Sequence, residues 1–162
     1  MVIWIIGLSA SGKSTVAEMM YKKIKSKKKI ILDGDDIRLN FYPRLGYSPK
    51  NRLQNSNFIF KLSKFLSNKD FIVIVPILSI FQKHRDRNRK KINNYIEIYI
   101  KSNSIDILNR DFKKVYKNQK NIVGRDIKFE EPINYDYLIN NDNSINYLKK
   151  EVDKILKKIN VI

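Results

Sequence analysis

The sequence predicts an α/β protein in which a central, mostly parallel sheet of five strands lies between two layers of helices. Short apolar runs alternate with longer stretches of helical periodicity, which is the order typical of parallel strands joined by crossover helices. The 162 residues contain no internal repeat and no linker-like segment, and this length suits one domain with a sheet covered on both faces. We therefore expect residues 1–162 to form a single domain.

The first apolar run, Val2–Ile6, is predicted to be a buried strand and leads directly into Gly-Leu-Ser-Ala-Ser-Gly-Lys-Ser at positions 7–14. This is the pattern of a phosphate-binding loop, in which consecutive backbone N–H groups surround a phosphate at the start of a helix. Lys13 would reach the outer phosphates as a point charge, and the Ser14 hydroxyl would hold Mg²⁺. The motif predicts a nucleoside-triphosphate site in a P-loop NTPase-like three-layer sandwich.

The five strands are predicted from short apolar runs bounded by polar or turn residues. The strongest of them is Phe71–Val75, which Pro76 closes, because proline cannot continue the hydrogen bonding of a central strand. The predicted strands cover residues 2–6, 29–32, 71–75, 95–100 and 137–139.

The helices are predicted where apolar residues recur every three or four positions. Val16, Met20 and Ile24, for example, share one side of the helix expected after the phosphate loop. Residues 36–50, which include two prolines and Gly46, are expected to form a loop instead. The predicted helices cover residues 14–26, 51–68, 83–94, 105–117 and 145–159.

The composition makes several classes of protein improbable. The chain has no cysteine, so it can form neither a disulfide framework nor a thiolate metal site. Its first apolar run is only five or six residues long, and no run approaches the length of a membrane span. We expect a soluble, cytoplasmic protein that does not bind membranes.

The formal net charge of +17 raises the question of a polyanionic partner. The basic residues are spread along the chain without a recognisable RNA-binding or helix-turn-helix signature, and a Lys-, Asn- and Ile-rich composition also fits an AT-rich genome. We therefore expect a solvated basic surface and no nucleic-acid partner. A non-catalytic nucleotide-binding or RNA-binding protein remains the alternative function.

Asp33 and Asp35 follow the second predicted strand on either side of Gly34. Many phosphate-loop proteins carry their metal-binding Asp after a later strand, but Pro76 occupies that place here, so this pair is the available replacement. One carboxylate would hold Mg²⁺ through water while the other accepts a proton from a hydroxyl. The alternative interpretation is a helix N-cap followed by a turn aspartate.

These motifs together resemble the adenylylsulfate (APS) kinase family, whose members transfer the γ-phosphate of ATP to the ribose 3′-hydroxyl of adenylylsulfate. The resemblance extends from Ile3 to about Pro132. In the first half of the chain it is carried by the phosphate loop at 7–15, by Leu32–Arg38, which matches L-D-G-D-N-[VI]-R, and by Leu45–Asn55, which matches L-G-F-S-x-x-x-R-x-x-N. Ile74–Phe81, with Arg85 and Asp86, is similar to the family's I-S-P-[YF] stretch. In the predicted lid, Arg110 and Asp111 with Tyr116 and Lys117 match R-D-P-K-G-L-Y-K, and Gly124, Asp126 and Phe129–Pro132 match G-I-D-x-x-Y-E-x-P.

The resemblance implies a role for each matching position. ATP would be bound by Gly7, Leu8, Ser9, Ala10, Ser11, Gly12, Lys13, Ser14 and Thr15, with Arg110 against the adenine. The acceptor nucleotide would be bound by Asp35, Arg38, Tyr47, Arg52, Asn55, Pro76, Ile77, Leu78, Ser79, Lys120 and Ile122. Asp33, Asp35 and Lys13 would be catalytic, and Ser14 with Asp33 (through water) would hold Mg²⁺. The family also implies a homodimer and a lid over about 110–132.

Ser79 corresponds to a serine that is often described as a phosphoserine intermediate in this family, so it is also a catalytic candidate. Direct in-line transfer requires positioned phosphates and a base rather than a covalent intermediate, and the sequence offers Ser79 no base partner. His84, the single histidine, falls on a predicted basic helix and is expected at the surface.

The chain departs from the family pattern in the predicted lid. Ile122 and Val123 stand where the family has Phe-Thr, so the second aromatic face of the base-binding sandwich is missing. The loss of one stacking face would weaken a purine site by roughly 1–3 kcal/mol. An offshoot of the family acts in capsule biosynthesis on the 3′-hydroxyl of cytidine diphosphoramidate, a smaller pyrimidine nucleotide. Adenylylsulfate and a cytidine-type acceptor both remain open.

Overall fold

The computed structural model describes residues 1–103, 107, 121–142 and 144–162. The elements within these residues run in the order β1 (Val2–Ile6), α1 (Lys13–Lys23), β2 (Lys29–Ile31), α2 (Gly34–Phe41), α3 (Pro49–Ser67), β3 (Ile72–Pro76), α4 (Gln82–Lys91), β4 (Tyr95–Lys101), β5 (Tyr137–Asn140) and α5 (Ile145–Lys158). Apart from Ile107, the helix predicted over 105–117 lies outside the described residues, as does the predicted lid up to residue 120.

The five strands form one sheet in the order β2-β3-β1-β4-β5, and every neighbouring pair is parallel. The predicted α/β class with a five-stranded sheet is confirmed, and the sheet is entirely rather than mostly parallel. Because all the strands point the same way, the segments that follow β1, β2 and β3 emerge at one edge of the sheet. A ligand site in a parallel sheet lies at this edge.

The core consists of two apolar layers, one on each face of the sheet. Successive side chains of β1 point alternately into one layer and the other. Ile3 and Ile5 face α1 and α5, whereas Val2, Trp4 and Ile6 face α2 and α3. All five β1 residues are completely buried, as expected for the central strand of a sheet covered on both faces. The phosphate-loop motif therefore follows directly from a completely buried strand.

Helix α2 occupies part of the segment that the sequence analysis assigned to a loop. Its N-cap is Asp33, whose side chain accepts a hydrogen bond from the Asp35 N–H, and its inner face buries Ile37. The N-cap alternative for Asp33 is therefore correct in structural terms. The loop expectation was wrong because the two prolines and Gly46 lie after this helix, so they limit its end and not its start.

A buried polar group lies beneath the edge of the sheet between β4 and α4. The Glu97 side chain on β4 is 0% exposed and accepts a hydrogen bond of 2.8 Å from the Tyr95 hydroxyl. The Arg85 guanidinium on α4 lies 3.9 Å from the other Glu97 carboxylate oxygen, Oε1. Burial raises the pKa of Glu97, and the attraction of Arg85 only partly offsets it.

None of the helices among the described residues is long and apolar enough to cross a membrane.

The Glu97→Gln variant tests this buried carboxylate. A folded-state pKa above the unfolded value means that the folded protein holds the proton more tightly, so stability falls as pH rises above about 4.5, by at most ~1.4 kcal/mol per pH unit for one proton. The variant lacks this titration. Urea titrations measure the unfolding free energy of both proteins at each pH. We expect the unfolding free energy of the parent minus that of Glu97→Gln to decrease between pH 4.5 and neutrality. The exposed Glu18→Gln is the control, and a pH-independent difference for Glu97→Gln would contradict the assignment.

Candidate functional site

A cleft of about 870 Å³ opens at the edge of the sheet where β1, β2 and β3 end. It brings together most of the residues that the sequence analysis selected. These are Ser9, Ala10, Gly12, Lys13, Ser14, Thr15, Asp33, Asp35, Arg38, Tyr47, Arg52, Asn55, Pro76, Ile77, Leu78 and Ser79. One continuous cavity therefore joins the phosphate loop to the acidic pair and to the predicted acceptor residues.

Six selected residues are not among those that line the cleft. Gly7, Leu8 and Ser11 belong to the phosphate loop but lie behind its inner surface. Ile122 is buried, with 2% of its surface exposed, and is also absent from the lining. Arg110 and Lys120 lie outside the described residues.

The phosphate loop has the backbone shape of an anion-binding nest. Ala10 and Gly12 both have positive φ angles, of 61° and 98°, so successive peptide N–H groups turn towards a common point. Helix α1 begins at Lys13, and no side chain of the described residues caps its first N–H groups. Lys13 and Ser14 at its N-terminus line the cleft, so the positive end of the helix dipole is available to an anion there.

Lys13 folds back over the loop in this structure. Its ammonium group donates a hydrogen bond of 2.6 Å to the Leu8 carbonyl, which places a cation directly beside the nest. The lysine can follow a bound phosphate because its charge sits on a flexible four-carbon chain.

Gly7 has no room for a side chain. A Cβ atom there would lie 2.5 Å from the carbonyl oxygen of Ile100, at the end of β4, and 2.5 Å from the Ser11 hydroxyl. The motif glycine is therefore required by the close approach of β4 to the start of the loop.

Asp33 connects the phosphate loop to α2. One carboxylate oxygen accepts the Asp35 N–H at 2.8 Å, and the other accepts the Ser14 hydroxyl at 3.0 Å. Asp33 thus caps a helix and also contacts the phosphate loop, and its metal-binding or catalytic role stays a prediction. The Ser14 hydroxyl and the Asp33 carboxylate form a pair of hard oxygen donors of the kind that Mg²⁺ prefers.

Two arginines and one tyrosine form the acceptor half of the cleft. The guanidinium carbons of Arg38 and Arg52 lie 4.5 Å and 5.3 Å from the centre of the Tyr47 ring. Burial lowers the pKa of Arg52, and repulsion by Arg38 lowers it further. The Arg38 Nε atom is buried and has no hydrogen-bond partner among the described residues. Two neighbouring cations with an unused donor form a favourable site for an anion.

Asn55 adds an unused acceptor to this half of the cleft. It is 3% exposed, and its side-chain N–H₂ donates a hydrogen bond of 2.8 Å to the Gly34 carbonyl. Its Oδ1 atom is buried and has no partner within the described part of the chain. A buried amide oxygen is costly to leave unpaired, so a donor on a ligand would stabilise it.

Ser79 is held in an unusual backbone conformation. Its φ angle is +49°, which is uncommon for a residue other than glycine. The Trp4 indole N–H donates to its hydroxyl at 3.2 Å, and the Arg85 guanidinium donates to its carbonyl. The hydroxyl is therefore engaged with the core strand β1.

His84 is a cleft residue that the sequence analysis missed. It is half-buried and lines the cleft, contrary to its expected surface position. Burial lowers the pKa of its imidazole, and so do Arg87 and Lys83. The basic residues around it in the sequence suggested a fully solvated helix. The sequence signal that could have identified His84 is its position only five residues after Ser79, a predicted site residue. Helix α4 begins at the cleft, so a residue in its first turn lies close to the site.

Comparison with known proteins agrees with this geometry. The adenylylsulphate kinase family model matches residues 1–140. The chain belongs to this family. Its members among the matched proteins are nucleotide kinases, so the chain is a nucleotide kinase of the adenylylsulfate kinase type, and the resemblance stated from the motifs is confirmed.

Three similar proteins illustrate the range of the family. A cytidine diphosphoramidate kinase from Campylobacter jejuni is 38% identical over 165 residues, covering 98% of this chain and 95% of the relative. A probable adenylyl-sulfate kinase from Archaeoglobus fulgidus is 33% identical over 148 residues, covering 87% and 96%. The structure of the Mycobacterium tuberculosis APS kinase in complex with AMPPNP and APS superposes with a TM-score of 0.83 at 29% identity, covering 96% of each chain.

The contact between Trp4 and Ser79 predicts a positioning role that can be separated from covalent catalysis. Trp4→Phe and Ser79→Ala each remove the same hydrogen bond, which contributes about 1 kcal/mol to the unfolding free energy, and Trp4→Phe costs more because it also leaves a cavity in the core. The double variant should lose less than the sum of the two, since the second change removes no further hydrogen bond. Urea denaturation of the four proteins measures this coupling.

Turnover provides the second part of this test. If Ser79 only positions its loop, Ser79→Ala should keep activity within about tenfold of the parent, whereas loss of a covalent nucleophile costs several orders of magnitude. A phosphorylated Ser79 peptide after incubation with ATP, together with an inactive Ser79→Ala variant, would instead establish the covalent role.

Proposed function

We propose that this chain transfers the γ-phosphate of ATP to the ribose 3′-hydroxyl of a nucleotide that carries an extended anionic group at its 5′ end. The observation that supports this most directly is the hydrogen bond of 3.0 Å between Ser14 and Asp33. It joins the phosphate loop to the acidic pair within one cleft, and Arg38 and Arg52 line the same cleft. A phosphate donor and a hydroxyl acceptor could therefore meet at the two aspartates.

On the donor side, the nest around Ala10 and Gly12 would bind the β- and γ-phosphates, and Lys13 would move from the Leu8 carbonyl to the phosphate oxygens. Ser14, and Asp33 through a water molecule, would hold Mg²⁺, which neutralises charge on the transferred group when bound. The exchange replaces a hydrogen bond from the Lys13 ammonium to a neutral carbonyl with one to an anionic phosphate oxygen.

On the acceptor side, Asp35 is the better candidate for the base. Asp33 is engaged by Ser14 and by the start of α2, whereas the field of Asp35 acts on both Arg38 and Arg52. The 3′-oxygen would attack the γ-phosphorus as the bond to the β,γ-bridging oxygen breaks. Its proton would pass to the Asp35 carboxylate, and ADP would leave with the bridging oxygen.

For the acceptor itself, cytidine diphosphoramidate is our first candidate and adenylylsulfate our second. The C. jejuni cytidine diphosphoramidate kinase matches nearly the whole chain at 38% identity. Ile122, at the position of the family's second aromatic residue, is aliphatic, buried and absent from the cleft lining. Tyr47 would then stack on one face of a base, which is less demanding for a pyrimidine than for a purine.

The alternative, a non-catalytic nucleotide- or RNA-binding protein, draws on the net charge of +17. It predicts tight binding of RNA that weakens steeply with salt, without phosphoryl transfer. The acidic pair argues against it, because carboxylates at the centre of the cleft would repel a nucleic-acid backbone.

We also propose that residues 1–162 act as one kinase domain and that the active form is a homodimer.

Isosteric variants of the acidic pair test the chemical assignment. Asp35→Asn should lower kcat by about 10²- to 10⁴-fold, the usual contribution of a general base. Asp33→Asn should preserve α2, because asparagine caps helices as well as aspartate, while raising the Mg²⁺ concentration needed for half-maximal activity. Lys13→Ala should abolish turnover.

Asp70→Asn serves as the matched control for these variants. Asp70 is exposed, lies in the turn after α3 and has a φ of +66°, which asparagine also tolerates. Near-parental kcat in Asp35→Asn would remove that residue from its proposed role.

A direct acceptor screen decides the substrate. Purified protein with MgATP would be incubated with cytidine diphosphoramidate, adenylylsulfate, CDP and ADP, while ADP release is followed by a coupled assay and the product by phosphorus NMR. We expect a 3′-phosphorylated cytidine product and a higher kcat/KM for cytidine diphosphoramidate than for adenylylsulfate. The opposite order would favour adenylylsulfate, and the absence of transfer to any nucleotide would favour the binding-protein alternative.

A further inference from the structure

The residue after the last strand contacts the phosphate loop and lines the same cleft. Asn141 follows β5 directly, and its backbone N–H donates a hydrogen bond of 2.7 Å to the Lys101 carbonyl at the end of β4. Its own carbonyl accepts the Ser102 hydroxyl at 3.1 Å. These bonds fix the backbone of Asn141 to the sheet, 130 residues away from the loop in the sequence.

The side chain of Asn141 bonds to the loop. Its Nδ2 atom donates a hydrogen bond of 2.9 Å to the Ser11 carbonyl, and Asn141 and Ser11 are only 6% and 0% exposed. A Cβ atom on Gly12 would lie 2.5 Å from the same nitrogen. The amide therefore packs directly against the Ser11–Gly12 peptide, at the point where Gly12 adopts its φ of +98°.

This contact fixes the direction of one peptide plane. The chain has no cis peptide bond among its described residues, so the Ser11 carbonyl and the Gly12 N–H point in opposite directions. By holding the Ser11 carbonyl, Asn141 also fixes the direction of the Gly12 N–H, at a point where Gly12 and Asn141 both line the cleft. Rotation of this plane would replace a donor in the nest with a carbonyl oxygen that repels phosphate.

We propose that Asn141 is a positioning residue for the triphosphate: by holding the Ser11 carbonyl, it orients the Gly12 N–H for ATP. This inference rests on the proposed function, in that it takes the loop to be the ATP site. It also identifies a requirement that lies outside the phosphate-loop motif, since the motif specifies residues 7–14 and says nothing about residue 141.

Asn141→Asp is the decisive variant because it keeps the shape of the side chain. It replaces the N–H₂ donor with an oxygen that repels the Ser11 carbonyl. We expect the Kd for MgATP, measured by calorimetry, to rise about 10- to 100-fold, the usual effect of losing a hydrogen bond to a charged group. The KM for the acceptor should stay within about twofold, because Arg38 and Asn55 lie on the other half of the cleft.

Asn140→Asp is the matched control, because Asn140 is exposed and the variant adds the same charge one residue earlier. Asn141→Ala is the second variant in case Asn141→Asp does not fold. It removes the donor without adding a charge, and it should weaken ATP binding in the same direction.

NMR spectra of protein labelled with ¹⁵N at glycine distinguish a positioning role of Asn141 from a general contribution to stability. The chain has five glycines, so the spectrum contains few signals. In the parent, MgATP should shift the Gly12 amide strongly. In Asn141→Ala without nucleotide, the Gly12 signal should already differ from the parent while those of Gly34 and Gly46 stay in place.

The outcomes separate this inference from the proposed function. If the parent does not bind ATP, the proposed function fails. If the parent binds ATP and Asn141→Asp and Asn141→Ala bind it equally well, the positioning role is wrong and the function stands. Equal losses for ATP and acceptor, together with a general shift of the glycine signals, would also overturn it, because they indicate loss of overall structure.

Discussion

The hydrogen bond between the Ser14 hydroxyl and the Asp33 carboxylate is the contact on which the organisation of the cleft depends. Ser14 lies in α1, after β1, and Asp33 lies after β2, and these two strands are separated in the sheet by β3. The bond is possible only because all three strands are parallel and end at the same edge. The sheet therefore determines the distance between the phosphate loop and the acceptor half of the site.

The charged residues that line the cleft form two cationic groups and one acidic pair, Asp33 and Asp35. The nest and Lys13 form one cationic end, and Arg38 with Arg52 forms the other. The repulsion that lowers the pKa of Arg52 is a cost that the unliganded protein carries, and an anionic ligand would relieve it. The distribution of charge within the cleft is thus more informative about function than the total of +17.

Much of this could be predicted from the sequence, for identifiable reasons. Strand β1 and the phosphate loop follow from a strong local pattern, and Asp33, Arg38 and Asn55 follow from a motif with fixed spacing. Helix α2 was missed because the prolines after it dominated the local signal, while the capping side chain of Asp33 gave a competing one. His84 was missed because the basic residues around it suggested a fully solvated helix. Asn141 could not be found, because no short pattern encodes contacts between distant segments of the chain.

Those long-range contacts share a physical logic. A loop that binds an anion must keep some backbone donors available for it, so its own hydrogen bonds can stabilise it only in part. Here the stabilising groups come from the surrounding core. Trp4 and Arg85 hold Ser79 on one side of the cleft, and Asn141 holds Ser11 on the other. Arg85 also donates to the Glu130 carbonyl at 2.7 Å, so it connects the loop after β3 to the chain that precedes β5.

This arrangement gives a reason for the buried charges beside the cleft. A buried arginine and glutamate are seldom the most stable solution for a core, since apolar residues of similar size often do better. Arg85, however, offers several donors in a rigid plane, and it satisfies two carbonyls from different segments that no apolar side chain could hold. Glu97 lies next to it and balances its charge. Burial of this pair costs free energy, but the hydrogen bonds of Arg85 hold the geometry of the cleft. This accounts for charged residues in a region where stability alone would favour apolar ones.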